Sequence, residues 1–270
     1  MTIAAGYNSK VNLTGTAVTF VGEGVSTSDN TVYQITDSDK NIFGKESTVR
    51  VHKESSTGNI AEAGTTTTNI ELTGHGLVAG DLIFNTTRNA RRLVEAVVDV
   101  NNITVSGIAS QTSGDSINFY PTEDPTTYTL NRLFGKITYP GSASRTLRVS
   151  GEYLPSVEVA QAREIEISLS ANNEDVSVFG NAWVQRAQNL LDLSASLSKF
   201  REDATYQGHI TNGELKVLEW FIDRTSDVYL RAWVIYSSVD GSSSVDSTIE
   251  ESIELEGVTD ADGRTVSLNT

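Results

Sequence analysis

"REIEISLS" (residues 163–170) and "LLDLSASLS" (residues 190–198) decide the fold, because apolar and polar residues alternate along both stretches. Alternation with a period of two places successive side chains on opposite faces of a β-strand. Each stretch therefore predicts a strand with one face in a core and the other in water. The residues predicted to face the core are Ile165, Ile167 and Leu169 in the first stretch and Leu191, Leu193, Ala195 and Leu197 in the second.

The same alternation continues toward the C-terminus and predicts a mainly β protein. "VYLRAWVIYSS" (residues 228–238) and "STIEESIELEG" (residues 247–257) each predict a further strand. The first half of the chain contains several short β-rich stretches separated by Gly, Asp, Asn and Pro, which are typical of turns. The sequence thus predicts a β-sandwich or barrel.

One α-helix is expected to flank this sandwich, at "TNGELKVLEWFIDR" (residues 211–224). Thr211 followed three residues later by Glu214 matches a capping box, which is typical of a helix N-terminus. Leu215, Leu218 and Ile222 then share one face at helical spacing.

A small all-β module is predicted to interrupt the main domain. Residues 58–120, called the module below, contain short strand-like stretches with turn residues at every junction. We expect the module to be inserted at the tip of a hairpin formed by "STVRVHKE" (residues 47–54) and "TYTLN" (residues 127–131), since exposed hairpin tips tolerate insertions. Residues 1–57 and 121–270 would then form one discontinuous domain.

Composition limits the classes of function. The chain of 270 residues is 38% hydrophobic, which is sufficient for a sizeable core, and it has no cysteine, so disulfide and thiolate chemistry are excluded. It lacks a secretory leader or an apolar stretch long enough to span a membrane, so we expect a soluble protein.

The net charge of −15 argues against a protein that grips nucleic acid, because phosphate binding relies on clustered Lys and Arg. Residues 156–270 contain 20 acidic and 8 basic residues, so this part of the chain carries most of the negative charge. Solubility alone is the simpler explanation of such a balance.

No residue pattern predicts catalysis or a cofactor. His52, His75 and His209 are the only histidines, and none has metal-ligand spacing with another. Neighbouring carboxylates such as Glu164 and Glu166 alternate with apolar residues, which is typical of the wet face of a strand rather than of an acid–base pair. We therefore predict no catalytic, cofactor-binding or metal-binding residue.

Several short motifs, in order along the chain, resemble the tail tube (major tail) proteins of long non-contractile-tailed bacteriophages, the siphoviruses. The resemblance begins with "YQITDSDKNIF", "YTLNRLFGKITY" and "VSGEYLPSVEVAQA". It continues through "ISLSA", the acidic turn "NNEDVSVFG", the aromatic Trp183 and the return strand "LLDLSASLSKF". It covers most of the chain apart from the module, which is similar to small β modules of phage structural proteins.

The resemblance implies a structural virion protein whose copies close into rings, usually hexameric, that stack into a hollow tail tube. DNA would pass through this tube during ejection without specific binding. The implied partners are other copies of the chain, a tape measure protein inside the tube, and tail terminator and distal tail proteins at its ends. The implied location is the virion tail, assembled in the host cytoplasm.

Two groups of residues would carry this function. Residues 176–189 would form a projecting loop that contacts a neighbouring subunit, with Trp183 as its anchor, although Trp183 packed in its own core is the alternative. The lumen would be lined by acidic residues. The predicted loop contacts are Val176, Phe179, Trp183, Val184 and Arg186, and the predicted lumen residues are Glu164, Glu166, Glu250, Glu254 and Glu256. A carbohydrate- or surface-binding β-sandwich, as in lectins and adhesins, is the alternative function.

Overall fold

The prediction of a mainly β fold is confirmed by a computed structural model. The structure describes residues 2–4, 10–55, 58–159, 162–175, 186–200, 213–221, 228–242, 250–259 and 266–269. Two short 3-10 turns, Ser38–Lys40 and Pro125–Thr127, are the only helical elements in these ranges. The strands are β1 (Thr2–Ala4), β2 (Lys10–Thr14), β3 (Val18–Thr27), β4 (Val32–Ile35), β5 (Arg50–Lys53), β6 (Gly58–Ile60), β7 (Asn69–Glu71), β8 (Leu82–Asn85), β9 (Ala90–Val97), β10 (Asn102–Val105), β11 (Ser116–Tyr120), β12 (Thr129–Asn131), β13 (Lys136–Thr138), β14 (Leu147–Tyr153), β15 (Ser156–Glu158), β16 (Ala162–Asp175), β17 (Arg186–Phe200), β18 (Leu215–Phe221), β19 (Tyr229–Ser242), β20 (Glu250–Gly257) and β21 (Val266–Asn269).

The first sheet has nine strands in the order β1-β16-β17-β20-β19-β18-β2-β15, with β21 also paired to β19. It must curl. Six strand spacings separate β15 from β16 across the sheet, roughly 29 Å if it were flat. Only residues 159–161 connect them in sequence, and such a link spans about 14 Å at most. The curl encloses one core that β2, β16, β17, β18, β19 and β20 all line.

The second sheet has six strands in the order β12-β13-β4-β3-β14-β5, and its core is rich in aromatic residues. Phe20 stacks on Phe43 with ring centroids 5.9 Å apart, and Tyr33 meets Tyr139 edge to face at 5.8 Å. Such aromatic pairs stabilise a core beyond the area that they bury.

The third sheet, β6-β11-β8-β9-β10-β7, lies entirely within the module and has its own core. Contacts divide the chain into two compact units, residues 1–15 with 156–270 and residues 16–155. The first unit holds the first sheet, and the second unit holds the other two sheets. That residues 1–57 and 121–270 form one domain stays a prediction.

The helix predicted at residues 211–224 is wrong for its described part, because Leu215–Phe221 form strand β18. This strand pairs with both β19 and β2, which requires the backbone groups that a helix would use internally. Val217 and Leu218 point to opposite faces, yet neither is exposed to solvent. A strand buried on both faces has no alternation, so its apolar residues can also match helical spacing.

The hairpin expected between residues 47–54 and 127–131 is also wrong. β12 pairs with β13, whereas β5 pairs with β14 on one side. On its other side β5 lies beside residues 121–123, through the bridge between His52 and Thr122 and the hydrogen bond from Glu123 N to Val51 O. The chain therefore re-enters the second sheet directly after the module, earlier than predicted.

Candidate functional site

Four of the five predicted lumen residues, Glu164, Glu166, Glu254 and Glu256, lie on one face of the first sheet. Glu164 and Glu166 are exposed and lie opposite the buried Ile165 and Ile167, as the alternation of β16 requires. The predicted wet face of β16 is therefore present.

The strand register brings the carboxylates of different strands onto the same face. Glu166 lies opposite Ser196 of β17, which in turn lies opposite Glu254 of β20. The Ser196 hydroxyl donates a hydrogen bond to Glu254 Oε1 at 2.8 Å. Glu256 is exposed one row further along, whereas the side chain of Glu250, the first residue of β20, lies outside the described side chains.

Two exposed carboxylates belong to this surface although they were not predicted to line it. Asp192 lies on the same face of β17. Its position in the alternating pattern of β17 was sufficient to predict that it belongs to this face. Asp240 of β19 also lies on this face, because it pairs with Ser252 of β20. Ser252 pairs with Ser198 of β17, which pairs with Glu164 of β16, so Asp240 and Glu164 lie in one row across the sheet. That alignment follows a bulge between Tyr236 and Ser238, which sequence periodicity does not reveal.

We call this surface the acidic face. Among the described side chains of β16, β17 and β20, none on this face is Lys or Arg. Serine residues fill the positions between the carboxylates. The acidic face comprises Glu164, Glu166, Ser168, Asp192, Ser194, Ser196, Ser198, Asp240, Ser252, Glu254 and Glu256.

In the first half of β19 and on β18, the same side of the sheet is buried and holds an ion pair. Glu219 Oε2 accepts from Arg231 Nε at 2.6 Å, and Glu219 Oε1 accepts from Asn12 Nδ2 at 2.7 Å and from Ser156 Oγ at 3.0 Å. Glu219 and Arg231 are both less than 5% exposed. The carboxylate is saturated with donors, so the pair ties β15, β2, β18 and β19 into one register.

Strands β16 and β17 continue past their other neighbours as a two-stranded ribbon, which we call the arm. β1 pairs with β16 only at Ala4 to Thr2 opposite residues 166–168, and β20 pairs with β17 only along residues 194–200. In the described chain, residues 169–175 and 186–193 thus pair only with each other. At about 3.3 Å per residue the arm is roughly 20 Å long.

The arm exposes part of the apolar stripe that it continues from the core. Leu169 pairs with Leu193 and has the parity of Ile165 and Ile167, yet it is 39% exposed. A two-stranded ribbon is only marginally stable by itself in water. The arm is therefore suited to packing against another polypeptide surface.

The predicted contact loop lies largely outside the described residues. Val176, Phe179, Trp183 and Val184 all fall there. The end of the loop was placed wrongly, because residues 186–189 belong to β17, where Arg186 pairs with Asp175. Their polar composition hid a strand that the pairing with β16 stabilises.

The described residues contain no group of three or more His, Asp or Glu side chains that could hold a metal ion. His52 and His75 lie apart in separate hydrogen-bond networks, and His209 is outside the described residues. Within the part of the chain that the structure describes, no helix is long and apolar enough to span a membrane.

The solved structures that the chain partly resembles include two from gene transfer agents. No protein family matches the chain, and no curated protein matches it. Both structures are gene transfer agent particles, one described as the tail of an empty particle with C6 symmetry and the other as the virion of a native particle. Each matches at a TM-score of 0.36 and 16% identity over 43% of this chain, and the match covers 87% and 89% of the respective neighbour chains. A TM-score this low does not define a shared fold.

Proposed function

We propose that this chain is a tail tube protein of a siphovirus-like particle, a structural protein without enzymatic activity whose copies form stacked rings around a DNA conduit. The observation that carries the proposal is the β16–β17 pair. This one element extends past its own sheet as an arm, which suits assembly, and it also carries part of the acidic face, which suits a conduit.

The arm supports assembly through its unpaired edges and its exposed stripe. Backbone N–H and C=O groups at strand edges readily pair with another chain, and native monomers normally protect such edges. A neighbouring copy that packs on the arm would cover Leu169 and provide the partners that the ribbon lacks. The loop at the tip of the arm, with Trp183 as its anchor, would reach the adjacent subunit or ring.

The acidic face supports a passive conduit for DNA. Phosphate groups are repelled by a surface that carries carboxylates without Lys or Arg, so DNA would slide along it rather than bind. At about 0.15 M salt the screening length is roughly 8 Å, so only carboxylates close to the wall would act on the DNA. Ring symmetry would repeat the acidic face around the lumen.

The other partners and the location of the protein are those expected of a tail tube protein. A tape measure protein would occupy the lumen during assembly, and tail terminator and distal tail proteins would close the two ends. The module would decorate the outside, where its volume obstructs neither the lumen nor the stacking of rings. The protein would be assembled in the host cytoplasm and reside in the virion tail.

Electron cryomicroscopy of the purified full-length chain tests this proposal. We expect rings or stacked tubes at high protein concentration, with the acidic face toward the lumen and the arm on a neighbouring subunit. A monodisperse monomer that binds glycans on an array would contradict the proposal and favour the lectin-like alternative. Tubes with the acidic face outside would support assembly and contradict the conduit.

A further inference from the structure

The second sheet and the module belong to one compact unit, and their junction combines polar contacts with the packing of Leu82 against Gly22 and of Arg148 over the Phe84 and Tyr120 rings. The two sheets have separate apolar cores. The chain leaves the second sheet after β5 and returns beside it, with Lys53 N donating to Pro121 O at 3.0 Å and Ser55 N donating to Phe119 O at 2.9 Å. The root of the module is therefore a narrow backbone ladder.

His52 lies at the centre of this root and is fully buried. Its Nε2 is 3.0 Å from Ser150 Oγ on β14, and its Nδ1 is 3.3 Å from Thr122 Oγ1. Thr122 also reaches the module, because its hydroxyl donates to Gly80 O at 3.2 Å and its backbone N donates to Asp81 Oδ1 at 2.8 Å. One imidazole thus connects the second sheet to a loop of the module.

The hydrogens in this chain of contacts can be assigned. The Thr122 hydroxyl hydrogen goes to Gly80 O, so Thr122 Oγ1 accepts from His52 Nδ1–H. Ser150 Oγ accepts from the backbone N of Gly22 at 3.0 Å and can donate its own hydrogen to His52 Nε2. Every donor has an acceptor when the imidazole is neutral and carries its hydrogen on Nδ1.

The charged groups around His52 disfavour a second proton. Arg148 lies directly opposite His52 on β14, and Arg50 lies two residues away on β5 itself. Burial, reinforced by Arg50, lowers the pKa of His52 from its ordinary value of 6.5 to about 4. Among the carboxylates at the junction, Asp81 accepts from Thr122 N and Glu54 accepts from the Tyr120 hydroxyl at 3.1 Å. Glu123 pairs with Lys53, and Glu23 of β3 lies near Arg91.

The module contributes further positive charge to the junction. Arg91 of β9 and Arg148 both lie over the Phe84 ring, at 4.9 and 5.1 Å from its centroid. Burial and the neighbouring Arg148 lower the pKa of Arg91. A positive imidazole would therefore join three arginines at this junction.

We propose that neutral His52 is a latch that holds the module against the second sheet, and that proton uptake by this imidazole opens the junction while both cores stay folded. A protonated Nε2 can only donate, so the Ser150 hydroxyl can no longer donate to it and must turn its own hydrogen to another acceptor. The new charge is buried beside Arg50 and Arg148, which is unfavourable.

The direction of the pH effect follows from the lowered pKa of His52. Above pH 6.5 the imidazole is neutral whether the latch is closed or open, and the closed junction has its full stability. Between pH 6.5 and about 4 only the open state takes up the proton, so the closed junction weakens as the pH falls. The latch is therefore closed at neutral pH and opens in acid.

Hydrogen exchange of the full chain, followed by NMR or mass spectrometry between pH 7 and pH 3.5, tests the latch. Rates are corrected for the intrinsic pH dependence of exchange. We expect the amides of Gly22 and Thr122 to lose protection below pH 6.5, whereas the core amides of Ile103 and Ile117 in the module and Val149 in the second sheet stay protected. Simultaneous loss of protection at all these amides would show global unfolding and overturn the proposal, as would unchanged protection of Gly22 and Thr122 down to pH 3.5.

Ser150→Ala sharpens the test, because it removes the hydroxyl that donates to neutral Nε2. The midpoint of opening should rise by about 0.7 pH unit, the shift expected for loss of one ordinary hydrogen bond. His75→Gln is the matched control, since His75 is a largely buried histidine inside the module that contacts Asp99 O, and it should leave the midpoint unchanged. If Ser150→Ala does not fold, the pH titration of the His52 ring signals in the unmodified chain decides: a pKa near 6.5 overturns the latch, and a pKa near 4 supports it.

Discussion

Strands β16 and β17 are 14 and 15 residues long and extend past their neighbours, whereas no strand of the module exceeds eight residues. The module closes on itself. Asp115, which is buried, accepts from Asn85 Nδ2 at 2.9 Å and from Arg88 Nε at 3.0 Å, and this network ties the turn after β8 to the loop before β11. The first sheet instead extends an arm past its neighbouring strands and presents an acidic face on which no described side chain of β16, β17 or β20 is Lys or Arg. The contrast suggests that the module is complete by itself, while the first sheet is built to be completed by other copies.

Shortening the arm should have the largest effect on assembly. Replacing residues 171–191 with Asn-Gly would join Ser170 to Asp192, which already pair, through a favoured two-residue hairpin turn. The core of the first sheet should remain, because the residues that β16 and β17 contribute to it lie outside the deleted segment. We expect a folded monomer that forms no tubes, measured by circular dichroism and negative-stain microscopy.

Tubes of normal length from the shortened chain would show that the arm is not an assembly element. As a matched control, replacing residues 99–101 of the β9–β10 turn in the module with Asn-Gly joins Val98 to Asn102, which already lie opposite each other, and should leave assembly intact.

Breaking the buried ion pair should cause the largest loss of monomer stability. Glu219→Gln keeps the size of the side chain but leaves the Arg231 charge without its carboxylate, which typically costs about 3–5 kcal/mol. The exposed Glu256→Gln on the same sheet should change stability by about 0.5 kcal/mol or less. Urea unfolding of both variants measures the difference. Equal stabilities would show that the polar network does not hold the register of the first sheet.

Reversing charge on the acidic face should slow DNA passage with little effect on folding. Glu164 and Glu166 are exposed, so changing both to Lys should leave the sheet intact. Tubes should form, and DNA release from assembled particles should slow, more so at low salt because screening is weaker there.

Changing the exposed Glu46 and Glu95 to Lys makes the same change in net charge away from the first sheet and should leave release unchanged. Normal release at low salt by the Glu164 and Glu166 variant would contradict the electrostatic lining.

Removing the module should have the smallest effect on assembly. Lys53 N and Pro121 O, which both remain, already meet at 3.0 Å at the root, so a short Gly/Ser turn can replace residues 58–120 without straining the second sheet. We expect tubes of normal lumen diameter and smaller outer diameter by electron cryomicroscopy. Loss of all folded protein would show that the module is needed by the second sheet, and folded protein without tubes would place the module in a subunit contact.

Alternation predicted the faces of the first sheet correctly wherever one face is buried and the other is wet. Glu164, Glu166 and Glu256 are exposed, and Ile165, Ile167, Ile253 and Leu255 are buried, as expected. Leu169 was also predicted to face the core but is exposed, because the arm extends past its neighbouring strands. The same reasoning failed at β18, because a strand buried on both faces shows no alternation. It also could not place Asp240, whose row depends on a bulge.

The sequence by itself determined the mainly β class, the inward and outward faces of β16, β17 and β20, and the stretch that forms the third sheet, because strand periodicity and turn residues act over a few neighbouring positions. Only the tertiary structure decided which strands pair. That choice places Glu219 against Arg231 on adjacent strands, brings His52 to Thr122 and leaves the arm beyond its neighbours. The contact between His52 and Thr122 joins residues 70 positions apart, and the arm depends on where the pairing of β16 and β17 with their neighbours stops. The packing of whole sheets determines both features, whereas a local sequence pattern does not.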